Sequence, residues 1–235
     1  MKKILRFIGK STLYLAGFLL LAGIIIKIIF TEDIPEGQTG PAANELAFKM
    51  LESINYKEFA NANEIRWTFR DKNTYHWKVQ EKLVNVYWDD YRVAFATPYP
   101  EISHAFKNDQ KLSGEERENA IAYAEKNFNN DSFWIVAPFQ VMDIGTKRSV
   151  VKEDGKEQLL VQYTSGGTTP GDTYLWELDK DYQPIAFKMW VDIIPLDGVR
   201  AKWQEWEMTA GGFPLSRKRT IYGLEIPISD LEVIK

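Results

Sequence analysis

Apolar residues recur at every second position through most of this chain, and the strongest such runs lie between Leu159 and Val191. Tyr174, Trp176 and Leu178 fall on one side of an extended segment, as do Ile185, Phe187 and Met189, behind the run Leu159-Leu-Val-Gln-Tyr163. A period of two is the signature of strands that bury one face. Earlier, Ile65–Phe69, Tyr75–Val79, Leu83–Trp88 and Tyr91–Phe95 alternate in the same way, with Arg66, Thr68, His76 and Lys78 between the apolar positions. Their short polar connections predict antiparallel neighbours. Val141–Val151 and Gln158–Thr164 predict a hairpin turning at Asp154-Gly155, and further strands are expected around Lys202 and Arg217.

Helical spacing occurs twice. Pro41 can open a helix whose apolar stripe is Leu46, Met50, Leu51 and Ile54. Ser113-Gly-Glu-Glu116 has the spacing of a capping box, ahead of Ala120, Ile121, Ala124 and Phe128. Asn129-Asn-Asp131 is expected to end this second helix before Ser132–Val136 returns to extended structure. The resulting expectation is an α+β domain: a curved antiparallel sheet of about ten strands, an open half-barrel covered by two helices. Trp190 and Trp206 are out of register with Phe187/Met189 and with Trp203, so both faces of the late strands carry aromatic rings.

The first thirty residues differ from the rest. Thr12 to Phe30 is apolar except for Lys27, long enough to cross a hydrocarbon core of roughly 30 Å. Lys2, Lys3, Arg6 and Lys10 precede it, and Glu32, Asp33 and Glu36 follow. By the positive-inside rule the body then lies on the extracytoplasmic side of the inner membrane, tethered by a single uncleaved transmembrane helix. No small-x-small site marks a signal-peptide cleavage. The expected organisation is an anchor over 1–30, a linker over 31–41 and an extracytoplasmic domain over 42–235.

Composition narrows the function. The formal charge is −4, but the first thirty residues hold five cations and no acids, leaving −9 on the body. An acidic body argues against nucleic acid as a partner. With no cysteine, thiolate metal sites, cysteine nucleophiles and acylated N-terminal cysteines are excluded. The two histidines, His76 and His104, have no metal-ligand spacing. Ser165 lacks the preceding glycine of a nucleophile elbow, and Asp131, Asp143, Asp172 and Asp179 do not space as a calcium loop, which leaves them as turn and cap residues. No catalytic set, metal or cofactor is expected.

What remains is the aromatic wall. An open barrel lined by Trp67, Phe69, Trp77, Trp176, Phe187 and Met189 makes an apolar-ligand site, and the loop bearing Gly166 and Gly167 could bring backbone amides to a ligand or partner. Eight tryptophans also admit a second reading, a barrel filled by its own side chains that docks a membrane or envelope partner.

The order of elements, together with Tyr174-Leu-Trp-Glu-Leu-Asp179, Gln183-Pro-Ile185, Trp203-Gln-Glu-Trp206 and Phe213-Pro214, resembles the half-barrel proteins that carry lipoproteins across the bacterial periplasm, over about residues 42 to 225. That resemblance implies a half-barrel fold and a lipoprotein or other apolar ligand. The family's carriers are released from the membrane, whereas this chain is expected to be tethered. Asn130–Trp134, Tyr163–Asp172 and Lys188-Met-Trp190 are similar to those of an uncharacterised group of exported bacterial proteins.

Overall fold

The structure, a computed structural model, describes residues 17–19, 21, 31–97, 99–165 and 171–234. The expected anchor over 12–30 therefore lies outside the described residues, apart from 17–19 and 21, which are helical. Among the described residues no helix is long and apolar enough to cross a membrane.

The chain begins with a two-residue strand β1 (Gln38–Thr39), helix α1 (Pro41–Ser53) and a short helix α2 (Tyr56–Ala60). A meander follows: β2 (Glu64–Phe69), β3 (Asn73–Lys78), β4 (Leu83–Trp88), β5 (Tyr91–Ala96), β6 (Tyr99–Lys107) and β7 (Gln110–Lys111). Helix α3 (Gly114–Val136) and a 3-10 turn (Ala137–Phe139) lead into a second meander. Its strands are β8 (Thr146–Glu153), β9 (Lys156–Tyr163), β10 (Thr173–Leu178), β11 (Pro184–Trp190), β12 (Val199–Met208), β13 (Pro214–Ile221) and β14 (Leu224–Glu225). The last strand, β15 (Ile228–Ile234), returns to pair with β2.

Fifteen strands among the described residues replace the expected ten, and they form two antiparallel sheets instead of one. The sheet of the late strands runs β1-β8-β9-β10-β11-β12-β13-β14, and the sheet of the early strands runs β15-β2-β3-β4-β5-β6-β7. Neither closes into a barrel. The sheets touch where Arg217 Nη1 on β13 donates to the carbonyl of Leu231 on β15 at 2.6 Å.

Local chemistry accounts for much of this. Asp154 and Gly155 both take positive φ, 49° and 73°, as a two-residue hairpin turn requires, and β8 pairs with β9 on either side of them. Strand β2 alternates buried interior residues with half-buried outer ones, as its period predicts. Pro41 opens α1, and its buried stripe of Ala43, Leu46, Ala47, Met50 and Leu51 packs on β8 and β9.

Helix α3 overrides its sequence. It runs unbroken through Asn129-Asn-Asp131 and on through Ser132–Val136, where extended structure was expected. The reason is tertiary. Asp131 is buried and accepts from Tyr75 Oη, Asn73 Nδ2 and Asn130 Nδ2, so a residue expected in a turn or cap is instead held against β3. About two turns earlier in the helix, Tyr123 Oη donates to Asn73 Oδ1. The expected capping box does not close either: Ser113 makes no side-chain cap bond, and Glu116 turns to Tyr91 Oη and Lys107 Nζ.

The segment read as a linker is packed down. Glu32 accepts from Lys188 Nζ through its carboxylate and from Trp190 Nε1 through its carbonyl, both at 2.6 Å. The following β1 pairs with β8. Beneath lies a small second core of Val151, Leu160, Leu175 and Trp190 on the outer face of the late sheet. Trp190 thus faces outward as its register predicts. Trp206 does not face away from Trp203. Glu205 takes a left-handed φ of 53°, interrupting the alternation, and Trp206 stacks on Trp203 with ring centres 6.1 Å apart.

Candidate functional site

The inner faces of the two sheets converge on α3, which touches both. Phe128 meets Trp67, Trp77 and Phe95 of the early sheet at ring-centre distances of 6.1, 5.5 and 5.7 Å. About a turn and a half further along, the same helix presents Phe133 and Trp134 to Phe187 of the late sheet, at 6.2 and 5.7 Å. At one end of the interior, Phe59, Phe139 and Phe213 close into a three-ring cluster, with Phe59 stacked on Phe139 at 4.2 Å.

The structure places the expected lining residues in this interior, in two groups. Trp67, Phe69 and Trp77 belong to the early sheet, and the first two are buried while Trp77 is half-buried. Trp176, Phe187 and Met189 belong to the late sheet and are buried, with Trp176 and Phe187 edge to face at 5.0 Å. The groups are separated by α3. Gly166 and Gly167 lie outside the described residues. Ser165 sits against Gly145, whose carbonyl accepts from the Thr164 amide and hydroxyl, which is a turn arrangement. His76 is half-buried on the outer face of β3, beside Tyr87 and 3.9 Å from Glu64 Oε1, and burial lowers its pKa. Among the described residues no three His, Asp or Glu side chains come together as a metal site.

One interior residue was missed. Arg219, on β13 directly across from Trp203, is completely buried. Its guanidinium carbon lies 5.1 Å from the centre of the Trp203 ring, and Nε, Nη1 and Nη2 all lack a hydrogen-bond partner. A cation–π contact contributes on the order of 2 kcal/mol when desolvated, while stripping water from an ion costs several. The contact does not balance the burial. Burial, and secondarily the nearby Arg217 charge, lower the group to about 9, so it still carries its charge at neutral pH. The neighbouring indoles add to the imbalance, since Nε1 of Trp176 and of Trp203 are buried without acceptors, as is Nε1 of Trp67 across the interior. Every one of these groups is a donor.

The sequence does carry a signal for Arg219. Leu215, Arg217, Arg219 and Ile221 share a face by period two, so two cations stand on a strand face whose other members are apolar. Arg217 finds Glu207 Oε2 at 3.0 Å and the Leu231 carbonyl; Arg219 finds neither.

The outer face of the late sheet is different in kind. A hollow of about 310 Å³ there is lined by charged and polar groups, among them Glu153, Lys156, Gln158, Glu177 and Lys188. Its Glu177 is held bidentately by Arg200 at 2.5 and 2.6 Å, and its Lys188 pairs with Glu32.

No protein-family model matches the chain, and no curated protein matches it. Among solved structures it is similar to a DUF1329 family protein from Desulfovibrio piger, at 10% identity, over 82% of this chain and 92% of that one, with a TM-score of 0.43. A likeness that loose carries no argument about either function or fold detail.

Proposed function

We propose that this protein is a membrane-tethered, extracytoplasmic binding module that holds a lipid, acyl chain or other apolar molecule between its two sheets, without catalysis. In this reading residues 12–30 are the anchor, the sheets act as an open half-barrel, and Trp67, Phe69, Trp77, Trp176, Phe187 and Met189 line the ligand site, while Gly166 and Gly167, outside the described residues, offer backbone amides to it. One observation carries it: the aromatic interior holds buried donors on Trp176, Trp203 and Arg219 that no described residue satisfies. A core that only supports the fold gains nothing from such groups, each costing about 1–3 kcal/mol when left unpaired. A molecule with an apolar body and an acceptor end relieves both features at once. The resemblance to periplasmic lipoprotein carriers points the same way, toward a lipoprotein or another acylated ligand.

The second reading, an interaction domain with a self-filled interior, is favoured by the position of α3, whose Phe128 already packs against rings of the early sheet. Organic extraction and lipid analysis of the full-length chain, purified from membranes and compared by native mass spectrometry before and after extraction, separates the two. A bound amphiphile in near-stoichiometric amount is expected. A homogeneous chain that carries none and takes up none supports the self-filled interior instead.

A further inference from the structure

We infer that Arg219 is the headgroup site of the interior, and that its ligand is a single acyl chain ending in an oxyanion, a carboxylate or a phosphate monoester. The inference rests on the apolar-ligand reading above and narrows it.

Three features fix the class. The unmet groups around Trp203 are donors only: three guanidinium nitrogens and the indole nitrogens of Trp203 and Trp176. Donors without acceptors select an acceptor-rich ligand and reject alcohols and amines as full partners. The guanidinium fork matches two oxygens on one centre, as in carboxylate or phosphate, better than a single carbonyl oxygen. Finally, the surroundings are apolar. Trp203 packs against Trp176 and Phe187 at ring-centre distances of 5.6 and 6.1 Å, so an oxyanion at Arg219 is bordered by rings, surroundings that favour a hydrocarbon body over a free inorganic ion. A free inorganic anion would meet the charge but leave those rings unused.

Among the described residues no acceptor reaches the Arg219 guanidinium. The acids that face the neighbouring cations on β12 and β13 are already paired, Glu207 with Arg217 and Glu205 with Lys218. At neutral pH the buried guanidinium keeps its proton, so the attraction is present under ordinary conditions.

The test uses the full-length chain in phosphatidylcholine nanodiscs, with binding corrected for partition into lipid. Probes are oleate, lysophosphatidate, oleyl alcohol, acetate and inorganic phosphate. Oleate and lysophosphatidate are expected to bind about tenfold or more tighter than oleyl alcohol. Arg219→Met is expected to bring that ratio close to one by weakening the two anions and not the alcohol, and Arg219→Lys to leave an intermediate ratio. Equal binding of oleate and oleyl alcohol by the unaltered chain overturns the inference and leaves the apolar-ligand reading in place. A ratio retained in Arg219→Met also overturns it. Acetate or phosphate binding as tightly as oleate shows a plain anion site and overturns the acyl assignment. Failure of every chain-bearing probe to bind removes the wider reading as well. Should Arg219→Met not fold, the ratio in the unaltered chain and in Arg219→Lys decides.

Discussion

Tyr75 donates its hydroxyl to Asp131 across 2.5 Å, joining β3 to the middle of α3 between residues 56 apart in the chain. This contact explains why a helix passes through Asn129-Asn-Asp131. The carboxylate is buried, makes no ion pair among the described residues, and accepts from three donors, Tyr75, Asn73 and Asn130. Removing the shortest of them leaves a buried ion under-satisfied. Tyr75→Phe is expected to destabilise the fold by about 2 kcal/mol, read from urea unfolding of the full chain in detergent. A loss within error of zero would mean that the contact does not hold the helix.

The same pair sets a pH dependence. Burial, then the Asp131 charge, raise the Tyr75 hydroxyl above its ordinary value of 10.0. In the unfolded chain that hydroxyl ionises near 10, whereas in the folded chain it keeps its proton, so stability falls as pH climbs above 10. Burial raises Tyr163 and Tyr174 in the same direction. Tyr75→Phe should therefore unfold with a shallower alkaline slope, by up to about 1.4 kcal/mol per pH unit, while keeping the part owed to the other two. Identical slopes in the two chains would contradict the assignment.

Arg219 should behave as a functional residue that weakens the empty protein. Replacing even a buried ion pair with apolar side chains of similar volume is often neutral or stabilising by about 1–4 kcal/mol, and an unpaired ion has no partner to lose. Ligand-free Arg219→Met is expected to be more stable than the unaltered chain toward urea and, unlike it, to gain nothing from added oleate. A variant that is less stable by more than about 2 kcal/mol would identify Arg219 as a structural partner instead.

The segment leaving the expected anchor is clamped, not free. Trp190 and Lys188 hold Glu32, and Gly37 passes so close to Ser149 that a Cβ at Gly37 would collide with its side chain. Gly37→Val should lift residues 31–40 off the late sheet and speed proteolytic cleavage there, at a cost in stability of about 1–3 kcal/mol, while Lys188→Ala alone should do much less because its ion pair is partly exposed. Cleavage unchanged by Gly37→Val would show that the segment is held elsewhere.

How far the fold was legible follows from where the information lies. Period two and the Asp154-Gly155 turn are local, and the strands they mark over Ile65–Phe95 and Gln158–Trp190 are found almost where they were read, whereas the strand read from Val141 begins only at Thr146 and Tyr99–Lys107 was not read as one. The division into two sheets is not local. It depends on β15 returning across the chain to β2, which no spacing near Ile228 records. Helix α3 was cut short because Asn129-Asn-Asp131 weakens a helix in isolation, and the bonds that offset this come from β3. The facing of Trp206 turned on one left-handed residue, Glu205, which ordinary alternation does not anticipate. At the candidate site, the rings were legible because greasy residues announce themselves, and Arg219 was passed over because a cation in a strand is ordinarily solvated. Its strand partner Trp203 carried the contrary information.

The most direct measurement is photocrosslinking of a diazirine-bearing fatty acid to the full-length chain in nanodiscs, with the labelled peptides mapped by mass spectrometry. Label is expected on β10 to β13 around Trp176, Trp203 and Arg219 and on α3 near Phe133, competed away by oleate. Label confined to residues 12–30, or spread over the outer face of the late sheet without competition, would contradict a ligand held between the sheets.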